Sequence, residues 1–263
     1  MGSLQGKVII VTGASTGMGR AIAVGMATEG ATLGLVARNK AKLEVTAAQA
    51  RAKGVEVLAF PGDVSDNECA KRVVSTMVER FGRVDVLVNN AGTNTFHRNF
   101  SDTSVADWQL VVETNLTGAF LFTRHVLPPM RKAGKGQIIN ISSGAGLAPS
   151  APSGVAYSAS KHAIHSLTGS INLEERRHGI KACVIAPGET DTPNLDLRPR
   201  PPAKADLAKM LTPEDIANTV IYVASQPEHV SVELVVINPT ARRNYHADYE
   251  RYVAEGHTQI PLD

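Results

Sequence analysis

Short runs of apolar, mostly β-branched residues alternate along the chain with longer stretches of helical pattern. The runs are Val8–Val11, Thr32–Ala37, Val55–Phe60, Val84–Val88, Gln137–Ile141, Ala182–Ala186 and Glu233–Ile237. They are apolar nearly throughout rather than at every second position, the pattern of parallel strands covered on both faces. The stretches between them are long enough for crossover helices. Five of those stretches stop at a glycine: Gly30, Gly54, Gly82, Gly134 and Gly179. Glycine just past a helix end takes up the left-handed conformation that other residues resist. Repeated β-α units with short links predict an α/β fold, a doubly wound parallel sheet of about seven strands with helices on both faces. No linker, low-complexity tract or repeat divides the chain, so residues 1–240 are expected to form one domain and 241–263 its C-terminal extension.

Two segments break the rhythm. Pro187 to Pro202 holds five of the 14 prolines. Proline removes backbone donors and disfavours helix at the residue before it, so a long loop is expected at a strand's carboxyl end. Ligands bind along that edge of such sheets, and the loop reads as a lid. After Pro239, Tyr245, Tyr249 and Tyr252 are spaced i, i+4 and i+7. On a helix they would form one aromatic stripe, expected to dock onto a neighbouring subunit.

Charge and composition narrow the partners. Lys plus Arg is 27 and Asp plus Glu is 25, a net charge of +2, too balanced to predict a nucleic-acid or anionic membrane surface. Hydrophobic residues make up 43%, ordinary for a globular chain. No apolar run approaches the ~18 residues of a membrane span. The spacing of Cys69 and Cys183 suits neither a disulfide framework nor a metal site; reduced thiols in a cytoplasmic protein are expected. Neither nucleic acid, membrane nor metal is therefore expected as a partner.

The first strand runs into Thr12-Gly13-Ala14-Ser15-Thr16-Gly17-Met18-Gly19, followed by a helical pattern from Arg20 to Glu29. Glycines at a strand-to-helix turn let the backbone approach a pyrophosphate, and the helix N-terminus offers free N–H groups and partial positive charge. A dinucleotide is the expected ligand. An NAD binder usually ends its second strand in Asp or Glu to hold the ribose. Here the strand ends Leu35-Val36-Ala37-Arg38-Asn39-Lys40. Arg38 would attract a 2′-phosphate through its guanidinium, so NADP(H) is the expected cofactor.

Tyr157-Ser158-Ala159-Ser160-Lys161 opens a helix predicted to reach about His178. Positions i and i+4 share a face, so Tyr157 and Lys161 sit one turn apart. A cation ~5 Å away at an effective dielectric of ~20 favours phenolate by ~3 kcal/mol. That is ~2 pKa units, enough to bring a phenol near the working range of an acid–base catalyst. Asn140-Ile141-Ser142-Ser143 ends the fifth strand at the same edge, where a hydroxyl could hold a substrate carbonyl. His162 and His165 flank the tyrosine's helix without an evident third ligand, so neither is read as metal-binding.

Together these residues resemble the short-chain dehydrogenase/reductase family over roughly Leu4 to Pro239. The resemblance implies that Gly13, Ser15, Thr16, Gly17, Met18 and Gly19 cradle the cofactor, with Asp63 and Val64 at the adenine. Asn90, Ala91 and Gly92 match the signature after the fourth strand, and Pro187, Gly188, Thr190 and Thr192 the segment that meets the nicotinamide. Asn115, Ser143, Tyr157 and Lys161 match the family's catalytic four. In that family's mechanism Tyr157 would be the acid in reduction and the base in oxidation. Lys161 would lower its pKa and hold the nicotinamide ribose. Ser143 would polarise the carbonyl, and Asn115 would keep a proton-relay water in place. The implied function is NADP(H)-dependent interconversion of a carbonyl and a secondary alcohol by direct hydride transfer. A non-catalytic NADP-binding regulatory or scaffold protein is the alternative. Related enzymes form dimers or tetramers, so a homodimer or homotetramer is expected.

Two features depart from the common family pattern. Ser143 and Tyr157 differ by 14 positions, one more than in many members; Ser143 rather than Ser142 is chosen because Ser143-Gly144-Ala145-Gly146 keeps the register. Asn238-Pro239-Thr240 stands where many members have Asp-Gly-Gly after the last strand. Pocket candidates are Asn94–His97, Ala145–Gly154 and Glu189–Arg200. They leave a β-hydroxy acid, a sugar or polyol, a 3-oxoacyl thioester and a hydrophobic ketone all open.

Overall fold

Seven strands lie side by side and every neighbouring pair is parallel. They are β1 (Val8–Thr12), β2 (Thr32–Ala37), β3 (Val57–Pro61), β4 (Val86–Asn89), β5 (Gly136–Ile141), β6 (Ile180–Pro187) and β7 (Leu234–Ile237), in the order β3-β2-β1-β4-β5-β6-β7. This is a computed structural model, and it describes residues 2–241 except 151 and 200, together with residue 254. The tyrosine stripe at 245, 249 and 252 lies outside the described residues.

Alternation within each strand explains why the runs are apolar throughout. Ile9, Val11, Leu33, Leu35 and Val88 face one core, which α1 (Gly17–Thr28), α2 (Lys40–Arg51) and α8 (Pro213–Ala224) close with Ile22, Met26, Leu43 and Val220. Val8, Ile10, Leu87 and Ile138 face the other core. It is closed by α3 (Asn67–Phe81), α5 (Gly118–Ala133) and α6 (Val155–Glu175), through Val73, Met77, Phe122, Val126 and Ile171. The five glycines foreseen at helix ends all take positive φ, between +68° and +86°.

The structure moves some boundaries. Val55 and Val84 stand in the links before β3 and β4; Val84 is apolar because it is buried, not because it lies in the strand. Strand β7 is not covered on both faces: it is the sheet's edge, and Leu234 and Val236 are exposed. Between β4 and β5 the chain forms α4 (Val105–Val112), a π-helical turn Glu113–Thr117 and then α5, a break that hydrophobic periodicity does not reveal. In the proline-rich segment Pro193–Leu197 coils into a 3₁₀ turn with Leu195 buried, and a short helix α7 (Lys204–Leu207) follows. Proline's fixed φ suits the first position of such a turn, which is where Pro193 sits.

Strand order reverses between β1 and β4, so the loops leaving them diverge and open a crevice at their carboxyl ends.

Candidate active site

The crevice is built around the turn from β1 to α1. Gly13 has φ +65° and Gly17 φ +50°, conformations that favour glycine. A Cβ on Gly19 would lie 2.1 Å from the Gly13 carbonyl oxygen and 2.5 Å from Asn90 Nδ2, with backbone in the way. Asn90 Nδ2 donates to the carbonyls of Thr12 (3.0 Å) and Gly13 (3.2 Å), and Thr12 Oγ1 accepts from the N–H groups of Asn90 and Ala91. Asn90 thus braces the glycine turn from β4. Arg20 Nη2 holds the Ser15 carbonyl at 2.8 Å. Thr16 caps α1 without a side-chain hydrogen bond, which leaves the helix's first N–H groups to a ligand.

The resulting cleft has a volume of about 350 Å³, within the range of small-molecule sites. Of the sequence candidates, Gly13, Ser15, Thr16, Gly17, Met18, Gly19, Arg38, Asp63, Val64, Asn90, Ala91, Gly92 and Thr192 line it. At its outer end Arg38 lies 3.9 Å from Asp63 as a mostly exposed pair, the kind that binds weakly and exchanges partners readily. Burial raises the Asp63 pKa, but hydrogen bonds from Ser65 and the Arg38 charge outweigh it and hold the carboxyl below its usual value. Lys42 lines the same end, in the first turn of α2. It was not among the sequence candidates; its signal was the cluster Arg38, Lys40, Lys42 at one strand-to-helix junction. The glycine cradle, the uncapped helix end and these two cations fit a dinucleotide bearing an extra phosphate.

Pro187, Gly188 and Thr190 do not line that cleft. They line a second cavity, of about 110 Å³, and Met18, Thr192 and Asn194 border both. Thr190 Oγ1 donates to the Gly188 carbonyl at 3.2 Å, holding the chain as it leaves β6.

Tyr157 and Ser143 stand on the wall of the second cavity. Ser142 borders the cavity too, but its hydroxyl is engaged: it donates to the Lys161 carbonyl and contacts His165 Nε2, both at 3.0 Å. Beneath Tyr157, Lys161 is 3% exposed and donates Nζ to the Ile141 carbonyl at 2.8 Å, with Nζ 5.6 Å from the Tyr157 ring centroid. Gly92 leaves room for this ammonium, since a Cβ there would come within 3.4 Å of Nζ. Asn115 sits in the π-helical turn, a distortion that often marks functional positions. It accepts from Thr93 N–H at 2.7 Å and donates to the Thr93 carbonyl and to Ser160 Oγ, both at 3.1 Å. Its amide therefore ties the exit of β4 to α6.

The electrostatics differ from the sequence expectation. Burial pushes the Tyr157 phenol above its ordinary value; hydrogen bonding from Ser143 and the charges of Arg198 and Arg98 pull the other way without prevailing. Burial also brings Lys161 down to about 8. The helix-surface estimate took both groups as solvated, whereas folding removes both from water, and desolvation favours their neutral forms. Arg98 and Arg198 were not singled out from the sequence, because nothing local marks an arginine that faces a cavity.

Cys69 and Cys183 are both buried and free, and burial pushes the Cys183 thiol up to about 12. Among the described residues no helix is long and apolar enough to cross a membrane.

Comparison with known proteins agrees with this architecture. The family described as short chain dehydrogenase matches residues 7–200. Glycine betaine reductase of Emericella nidulans is 36% identical over 243 residues, which cover 90% of this chain but 19% of that much longer protein. A metagenomic short-chain oxidoreductase solved in complex with NADP is 34% identical, with a TM-score of 0.78 over 91% of this chain and all of the other. A short chain dehydrogenase from Mycobacterium paratuberculosis bound to NAD is 28% identical, with a TM-score of 0.80 over 90% of this chain and 98% of the other. A match of this extent carries the family with it: the chain belongs to the short-chain dehydrogenases/reductases and is an oxidoreductase.

Proposed function

We propose that the protein interconverts a carbonyl and a secondary alcohol with NADP(H), using Tyr157, Ser143, Lys161 and Asn115. The observation that carries this reading is the Tyr157–Ser143 pair of hydroxyls, standing over buried Lys161 in a cavity that shares Met18, Thr192 and Asn194 with the glycine-turn cleft. When bound, the nicotinamide would supply the hydride in reduction and accept it in oxidation. Tyr157 Oη gives its proton to the carbonyl oxygen as the alcohol forms, and takes it back in oxidation. Ser143 Oγ, which accepts from the Ala145 N–H at 3.2 Å, has its own proton to donate to the same oxygen. Lys161 balances charge that develops on the phenol. Asn115 is a positioning residue that fixes the wall behind Lys161.

The choice of NADP(H) rests on Arg38 and Lys42, with no carboxylate at the end of β2. Measured as kcat/KM in a carbonyl-reduction assay, NADPH is expected to exceed NADH by at least tenfold, ~1.4 kcal/mol. A preference for NADH would overturn the cofactor assignment.

The same reading includes a homodimer or homotetramer. Val105, Trp108 and Leu110 on α4, Phe120 on α5 and Leu173 on α6 are exposed apolar side chains that a neighbouring copy could cover. Light scattering is expected to give a multiple of the 27.9 kDa chain mass; a monomer mass would exclude it. Buried, unreactive thiols accord with a cytoplasmic enzyme.

A further inference from the structure

The cavity at Tyr157 is small and charged. Its volume is about 110 Å³, below the usual range of ligand pockets. Tyr157 is its one aromatic residue among the described ones, and Met18 and Leu195 are its bulkiest aliphatic side chains. Such a lining offers little apolar wall to a long hydrophobic ketone or acyl chain. Among the described residues, the charged side chains that line it are Arg98, Glu189 and Arg198, two cations to one anion.

The two arginines are held in different ways. Arg98 is 5% exposed; it gives Nη1 to the Pro152 carbonyl at 3.0 Å and Nη2 to the Leu197 carbonyl. Its own carbonyl accepts from the Val155 N–H at the start of α6, at 2.9 Å. Arg98 therefore staples the loop before α6 to the 3₁₀ turn over the cavity, and its positive charge is fixed beside Tyr157. Arg198 bonds to buried Glu189 through Nη1 at 2.5 Å, and its side chain is 20% exposed. A guanidinium carries five N–H donors in a rigid fork, so this bond orients Arg198 and leaves its Nε and Nη2 donors to a ligand. Two parallel N–H groups are what a carboxylate or phosphate oxygen pair takes up. A buried ion pair adds little to stability over well-packed apolar side chains, so stability alone is a weak account of this one.

We infer that Arg198 is the substrate's anion site, and that the enzyme acts on short hydroxy or oxo compounds carrying a carboxylate or phosphate. Glu189 holds the guanidinium in place and Arg98 keeps the cavity positive. The inference rests on the carbonyl–alcohol reading above and names the substrate class for that same site. It also fits the field at the tyrosine, because both guanidiniums are close enough to pull on the phenol's proton.

The test compares each anion with a neutral analogue, with NADPH present: acetoacetate beside methyl acetoacetate, and dihydroxyacetone phosphate beside dihydroxyacetone. Wild-type kcat/KM is expected to favour the anion in at least one pair by about 30-fold or more, the difference lying in KM. Whichever pair shows it identifies carboxylate or phosphate as the group bound. Arg198→Gln is expected to bring that ratio close to one. Arg198→Lys is expected to restore part of it, since lysine keeps the charge but not the fork. Retained NADPH binding, read by nucleotide fluorescence, identifies variants that fold. The favoured anion is also expected to raise the melting temperature of the wild-type NADP⁺ complex more than its neutral partner does. If wild type reduces the neutral members of both pairs as well as the anions, the inference is overturned and the carbonyl–alcohol reading stands. If NADPH binds but no carbonyl of a wide neutral and anionic panel is reduced, that reading falls, and the inference with it.

Discussion

Tyr157→Phe is expected to lower kcat by about 10²–10⁴-fold, the usual worth of a positioned general acid, while NADPH affinity stays within a few-fold of wild type. The substitution removes one oxygen and leaves the ring that packs on the cavity wall. Ser143 keeps its hydrogen bond from the Ala145 N–H, and the glycine cleft is untouched. Only the proton donor is lost, so the damage falls on the chemical step. The direction of the phenol's pKa adds a second readout. Burial holds Tyr157 protonated beyond its ordinary range, so the acid form needed for reduction is the form present at neutral pH. Reduction is then expected to be flat with pH through neutrality, and oxidation, which needs the phenolate, to rise toward alkaline pH. Retention of more than about a tenth of wild-type kcat in the phenylalanine variant would end the assignment of Tyr157.

Lys161→Met is expected to produce a stability difference that depends on pH. The buried ammonium's pKa falls from 10.5 to about 8, so between those values the folded protein holds fewer protons at this site than the unfolded chain. Stability therefore rises with pH across that window for the wild type, and methionine has no such titration. At ~1.36 kcal/mol per unit, the cost of the buried charge below pH 8 is about 3 kcal/mol, relieved by pH 10.5. Denaturant unfolding of the apo proteins at pH 7 and pH 10 is expected to show the methionine variant's relative advantage shrinking by about that amount. The other titrating groups are common to both proteins; His165, which the Lys161 charge helps to hold below its ordinary value, titrates below this window. A difference that does not change with pH would mean that Lys161 is not desolvated. The two experiments are complementary, since one reads the proton that leaves the site in turnover and the other the charge stored beneath it.

The sheet was legible in the chain because parallel strands covered by helices must be apolar at every position, and because left-handed helix ends call for glycine. That pattern located all seven strands, with errors of a residue or two where apolar side chains such as Val84 are buried in links. It placed β7 but not its surroundings, since Leu234 and Val236 are apolar yet exposed at the sheet's edge. It also missed the π-helical turn that holds Asn115, because one extra residue in a helical turn leaves no mark on hydrophobic spacing. The turn of Gly13, Gly17 and Gly19 could be read because steric exclusion at a strand-to-helix junction is a local property.

The chain's sequence, by itself, determined where the strands fall along the chain, the place of the glycine turn and the one-turn separation of Tyr157 from Lys161. These depend on neighbours along the chain. Tertiary structure alone decided that Pro187, Gly188 and Thr190 border the cavity at Tyr157 rather than the glycine-turn cleft, and that Lys42 joins Arg38 at that cleft's outer end. It decided as well that the tyrosine's environment raises its pKa, and that Arg98, Glu189 and Arg198 converge beside it from segments about ninety to a hundred positions apart in the chain. Desolvation and long-range charge depend on how completely the fold removes a group from water and on what it brings near, and no local spacing encodes either.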